Sequence, residues 1–159
     1  MKKRSIAIPK AFLQAVISLI GVGALAFMLW EPHLEGRNAH ATLFAIYFKD
    51  PFLAYAYVAS IPFFAALYQA FKVLGFLGED QAFSRAIAKA LRTINACALT
   101  LIGFVAVGEI AIFSMDSDDR AGGVFMGILI AFGSVVIAAA AALFEGIVED
   151  GPERKSETG

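Results

Sequence analysis

The strongest chemical signal in this sequence is an acidic side chain inside an apolar stretch. Glu109 stands within the run from Ile94 to Met115, and Glu145 stands near the end of the run from Gly122 to Ile147. A carboxylate in hydrocarbon must find a proton, a cation or a hydrogen-bond donor. A bare charge at the centre of a bilayer costs about 2.5–3.5 kcal/mol, and less near the surface. Glu109 is therefore a candidate relay or cation-binding group; its structural alternative is an interfacial residue bonded to a neighbouring helix. Glu145 is closer to a polar flank and more easily solvated. Gln14, Gln69 and Asn95 fall toward the same end of their own apolar runs and are candidates for one polar cluster. Ser18, Ser60 and Thr100 add side chains of the kind that hydrogen-bond between helices, each contributing about 0.6 kcal/mol and at most about 2.

Other chemistry finds little material. A single cysteine, Cys97, rules out an internal disulfide and reads as a small packing residue. With one Cys and two His, a Cys/His zinc site is not expected, and His33 and His40 read as surface histidines. There is no phosphate-binding glycine loop, nucleophile elbow or paired-carboxylate motif. Neither a catalytic residue nor a cofactor is expected, and the protein is read as a non-enzyme. A net charge of −1 gives no bulk attraction to nucleic acid.

The elements that must hold these residues follow from composition. The chain has 159 residues, 59% of them hydrophobic and 17% charged, where a soluble domain carries about 25% charged. Four apolar runs account for the excess: about 11–30, 52–77, 94–115 and 122–147. Each has the length a helix needs to cross about 30 Å of hydrocarbon, and lipid offers no partner for open backbone groups. The expected fold is a single all-α integral membrane domain, a bundle of four transmembrane helices, with the lipid bilayer as its first partner. A loop at 31–50 joins the first two spans, a connection at 78–92 joins the second and third, and a tail occupies 148–159.

Orientation follows from the basic residues. Ten of the thirteen lysines and arginines (Lys2, Lys3, Arg4, Lys10, Lys72, Arg85, Lys89, Arg92, Arg154 and Lys155) fall on one side; Arg37, Lys49 and Arg120 fall on the other. The positive-inside rule puts the ten in the cytoplasm, with both termini inside and the protein in a bacterial inner membrane. Ala24-Leu-Ala26 after a basic start is compatible with a cleavable signal, but the apolar run continues through Trp30, which suits a retained anchor.

Local signals refine the ends. Asp50 before Pro51 reads as an N-cap and first-turn proline, Pro62 predicts a kink, and Lys72 can reach the headgroups. The apolar stretch 41–48 is too short to span and is expected to lie at the interface or over the helix ends, with a ligand site there as the alternative. Ser84 reads as the N-cap of an amphipathic entry helix. Its basic face carries Arg85, Lys89 and Arg92, and its apolar face Ile87, Leu91 and Ile94, suiting either anionic lipid or a cytoplasmic protein partner. In the fourth run, Gly123, Gly127 and Ala131 form one ridge of small residues, and Ser134, Ala138, Ala142 and Gly146 a second. Such ridges let helix backbones approach, within the bundle or in a homo-oligomer.

The pattern Ile61-Pro-Phe63, Leu74, Ala82-Phe-Ser84 and Leu91-Arg-Thr-Ile94 resembles the bacterial membrane family called domain of unknown function 2975. The motif covers about 62–94, and Gly78-Glu-Asp-Gln81 is a more acidic approach than the family shows. The resemblance implies a small four-helix membrane protein with no assigned activity. Some members are encoded beside small helix-turn-helix regulators, which implies a regulatory role. The leading expectation is thus a protein that regulates or accompanies a partner. The alternative is a small oligomeric transport or permeation protein with Glu109 in its pathway.

Overall fold

The computed structural model describes residues 2–34, 40–48, 51–77, 84–114 and 120–157. These form α1 (Lys2–Leu34), the short α2 (Leu43–Phe48), α3 (Pro51–Leu77), α4 (Arg85–Ser114) and α5 (Arg120–Glu157), with no strand among the described residues. Four of the helices are long and apolar enough to cross a membrane, over Pro9–His33, Pro51–Leu77, Arg85–Ser114 and Arg120–Gly151. At about 1.5 Å per residue each outruns the hydrocarbon thickness. Large apolar side chains such as Leu19, Ile61, Ile110 and Phe132 are exposed along all four, as lipid-facing surfaces require.

The helices pack in chain order: α1 on α3, α3 on α4 and α4 on α5, the last contact being the most extensive. α4 and α5 run antiparallel along a seam. On α4 the buried positions Ile87, Leu91, Ile94 and Ala98 recur at steps of four, three and four. On α5 Ser134, Ala138, Ala141 and Val148 are buried, and the step continues through Glu145. This 3.5-residue period is that of knobs-into-holes packing. A strict step of four drifts around the helix, which is why the second expected ridge fails beyond Ala138. Ala142 is exposed, and Gly146 has nothing within 4 Å of where a Cβ would stand. The core gathers at the end that holds both termini, where Ile87, Ala88, Leu91 and Ile94 meet Ala141 and Val148, with Ala66, Ala70, Val73 and Phe76 of α3 against them. Between lipid-solvated helices such contacts hold by close packing rather than by expulsion of water.

Ser84 caps α4: its carbonyl accepts from the Ile87 and Ala88 amides at 3.1 and 3.2 Å, and its hydroxyl lies 3.4 Å from the Ile87 amide. Pro51 opens α3, where its missing N–H costs nothing; Asp50 lies outside the described residues. The segment 41–48 becomes α2, capped by Thr42 and packed on α1 and α3 through the buried Ile46, with Phe44 stacked on Phe48. Residues 115–119 and 78–83, the latter holding the acidic approach Gly78-Glu-Asp-Gln81, lie outside the described residues.

Candidate functional site

Glu109 projects from α4 into the seam with α5. Gly127 faces it, and the carboxylate occupies the volume a side chain there would fill. A Cβ built on Gly127 would stand 1.7 Å from Glu109 Oε1 and 2.8 Å from its Cδ. One turn farther toward the loop end, Ile112 lies 3.1 Å from the corresponding point on Gly123. The small residues of the first ridge thus receive α4 side chains, one of them charged. Glu109 is half-buried, five residues before the end of α4, about 8 Å along the axis. No hydrogen bond to its carboxylate is found among the described residues.

The α3 side of this region is set by Tyr55. Its hydroxyl donates to the Phe104 carbonyl at 2.5 Å, its ring meets the Phe104 ring edge-on, and its edge lies 3.4 Å from the Cβ direction of buried Gly108. An alanine at position 108 would reach that ring at ordinary van der Waals distance. An open apolar groove of about 480 Å³ lies at the same loop end, lined by Phe113 of α4 and by Arg120, Ala121, Val124, Phe125 and Ile128 of α5.

The polar cluster expected from the amides is not assembled. Gln14 donates instead to the Phe71 carbonyl at 3.4 Å, and no hydrogen bond joins it to Gln69 or Asn95, both half-buried. Ser18, Ser60 and Thr100 bond to carbonyls of their own helices, at Gln14, Tyr57 and Ala96. Hydroxyls one turn from a carbonyl on the same helix satisfy themselves without a partner helix.

Backbone carbonyls accept hydrogen bonds that tie α1 to α3. Lys10 Nζ donates to the Gly75 carbonyl at 2.7 Å, one of the last carbonyls of α3, which have no acceptor role within the helix, and it sits at the negative end of the helix dipole. At the other end Tyr57 donates to the Met28 carbonyl at 2.8 Å. Met28 precedes Pro32 by four residues, so the proline removes the amide that would bond this carbonyl. Tyr57 supplies the replacement donor. The sequence carried the signal: an intrahelical proline leaves the carbonyl four residues earlier in need of a partner.

The basic face of α4 is divided. Arg85 and Lys89 are exposed, opposite the buried Ile87 and Leu91. Arg92 turns to α5, pairing with Glu145 at 2.7 Å and Glu149 at 3.0 Å. Glu145, only 15% exposed, is thus paired rather than left to water. Lys72 lies over the Tyr68 ring, 5.6 Å from its centre. His33 Nδ1 is 3.0 Å from the Leu29 carbonyl, and His40 is exposed in a turn. No group of three or more potential metal ligands occurs among the described residues.

Residues 35–158 match the family described as "Protein of unknown function (DUF2975)". The chain belongs to that family. The DUF2975 match begins after α1 and takes in α2 to α5. The chain is also 36% identical, over 148 residues and 92% of each chain, to the "Uncharacterized membrane protein YoaS" of Bacillus subtilis (strain 168). No solved structure matches. With four helices of spanning length and this relative, the DUF2975 chain is a membrane protein, and nothing in either comparison points to catalysis.

Proposed function

We propose that the protein is a non-enzymatic component of a bacterial inner membrane that lets a small cation enter or cross the bilayer, with Glu109 as the group that receives it. The observation that carries this function is the seating of the Glu109 carboxylate against Gly127, between two packed helices and within the span. Ionisable residues at such depth are costly and mark ion or substrate pathways. Four helices packed in a row enclose no pore alone, so function requires an oligomer. Both termini are taken to face the cytoplasm, supported by the ten basic residues on that side. The test is flux of monovalent cations into liposomes containing the purified protein. Flux that needs the protein and is abolished by Glu109→Gln supports the proposal; flux equal in both, or none above empty liposomes, defeats it. Reporter fusions after Gly151 and near Ser84 should report the cytoplasmic side.

A second function, association with a cytoplasmic partner, is favoured by Arg85 and Lys89, which point away from the core while Arg92 is engaged by α5. Crosslinking in native membranes should then yield one reproducible adduct that Arg85→Glu/Lys89→Glu removes. An unchanged adduct pattern would dismiss the docking face.

A further inference from the structure

Glu109 is set apart from every other ionisable group of the seam. Along α4 no other titratable side chain follows Cys97, and along α5 none stands between Arg120 and Glu145. Two long helices pack on α4. Of these, α5 presents Gly127 to the acid, and α3 presents Tyr55 to the neighbouring Gly108. The Tyr55 hydroxyl is committed to the Phe104 carbonyl. Arg120 lies seven residues from Gly127 and Glu145 eighteen, about 10 and 27 Å along α5. The apolar groove at the loop end is lined by other residues. Toward the termini the seam is closed by the buried Ala98 and Ala138 and then by the apolar core. Toward the loops α4 ends about 8 Å away, which leaves a short route for exchange with water.

We infer that the cation received by Glu109 is the proton. The inference rests on the function proposed above and names its cargo. The donor set makes the choice. An alkali ion in a membrane protein trades its hydration shell for several oxygens, which channels and transporters supply from unwound backbone. Here α4 and α5 are unbroken helices on both sides of Glu109 and Gly127, so the carbonyls around the acid are committed to amides four residues on. The nearest hydroxyl on α4, that of Ser114, donates to the Ile110 carbonyl. A divalent ion asks for still more oxygens, and no group of three potential metal ligands occurs among the described residues. Volume points the same way. The carboxylate is packed on Gly127, whereas an organic cation needs a cavity at the acid. A proton needs neither ligands nor space beyond one carboxylate oxygen. Uptake from water forms one O–H bond and leaves the group neutral, which removes the cost of a charge held in hydrocarbon. Release to water breaks the same bond and restores the carboxylate, so no other reactant is required.

The experiment compares cargoes in liposomes that hold the purified full chain. Entrapped pyranine reports protons driven by a valinomycin-set potential, and parallel vesicles without valinomycin report radioactive sodium and rubidium. Variants are first checked for an unchanged helical spectrum and elution volume. Proton uptake above that of protein-free liposomes is expected. It should fall to the protein-free rate in Glu109→Gln and be partly kept in Glu109→Asp, with no Glu109-dependent uptake of either alkali ion. Independently of flux, a pH step applied to the protein in membranes should change an infrared carboxyl band that is absent from Glu109→Gln. Proton uptake equal in parent and Glu109→Gln, or an infrared response that Glu109→Gln leaves unchanged, would overturn the assignment. The two failures separate. Glu109-dependent sodium or rubidium uptake without proton uptake removes the proton and keeps the permeation function. A carboxyl band lost in Glu109→Gln, with no flux of any cation, removes permeation and keeps the proton as the ligand of Glu109.

Discussion

The α4–α5 seam is one continuous contact with two unlike ends. At the terminal end the buried Ile87, Leu91 and Ile94 lie against Ala141 and Val148, and α3 closes the third side with Ala66, Ala70, Val73 and Phe76. At the loop end the same two helices meet through a carboxylate resting on a glycine, and an open groove lies at that end. The terminal end has the composition of a structural clamp: alternating large and small apolar side chains at a 3.5-residue period. The loop end keeps the period and changes the chemistry. Where packing alone would favour an alanine or leucine at position 109, the chain carries an acid. Rules that govern a fold are broken most often where function is placed.

The sharpest way to test the contrast is to overfill the clamp. Ala141 is 4% exposed and faces the apolar residues of α4. Ala141→Leu should destabilise the protein by about 1–3 kcal/mol, the usual cost of forcing extra methylenes into a packed interior. Unfolding in mixed micelles by a graded denaturing detergent would measure it. A loss no greater than that for Ala139→Leu on the exposed face of α5 would mean the terminal end is not the tighter one.

At the loop end the corresponding change should depend on its neighbour. Gly127→Ala gains helix propensity, up to about 1 kcal/mol, but its Cβ meets Glu109 Oε1. The acid is flexible and can swing away, so the single variant should be near neutral. In a Glu109→Ala background nothing opposes the gain, and Gly127→Ala should stabilise. The coupling between the two substitutions should fall within about 0.5–3 kcal/mol, as for residues in contact. Additive effects in that double-mutant cycle would show that the acid does not rest on Gly127.

The contact between α1 and α3 extends the comparison to a boundary fastened by hydrogen bonds to backbone. Tyr57→Phe should cost about 0.6 kcal/mol and at most about 2, as measured for interhelical hydrogen bonds in membranes. Restoring the missing amide with Pro32→Ala gives the Met28 carbonyl a donor within its own helix. In that background Tyr57→Phe should cost almost nothing. An equal cost in both backgrounds would separate Tyr57 from the proline.

Much of this architecture was legible in the residues because lipid makes severe demands. The four runs, the Ser84 cap and the opposed basic and apolar faces of α4 follow from hydropathy and helical period alone. What escaped was long-range and depended on register. Two ridges at steps of four were visible in α5, but only the partner's 3.5-residue period decides that the seam passes through Ala141 and Glu145 instead of Ala142 and Gly146. The amides Gln14, Gln69 and Asn95 shared a depth, and depth does not fix the angle around a helix. Glu109 could be named as costly from sequence, whereas its seat on Gly127, eighteen positions away, required the antiparallel pairing of α4 with α5.

The smallest effect is expected at Arg92, and its smallness is informative. Its guanidinium bridges Glu145 and Glu149 across the seam, yet the arginine side chain is 68% exposed. Exposed ion pairs gain little because water competes for both charges and long side chains must be ordered to meet. Arg92→Gln should therefore change detergent unfolding only slightly, and the residual difference should shrink as salt is raised from low to physiological concentration. A large, salt-insensitive loss would show that Glu145 is shielded and depends on Arg92 for its charge. The terminal end would then resemble the loop end, a place where a carboxylate is held in the membrane at a cost, and Glu109 would lose its standing as the exceptional acid of the seam.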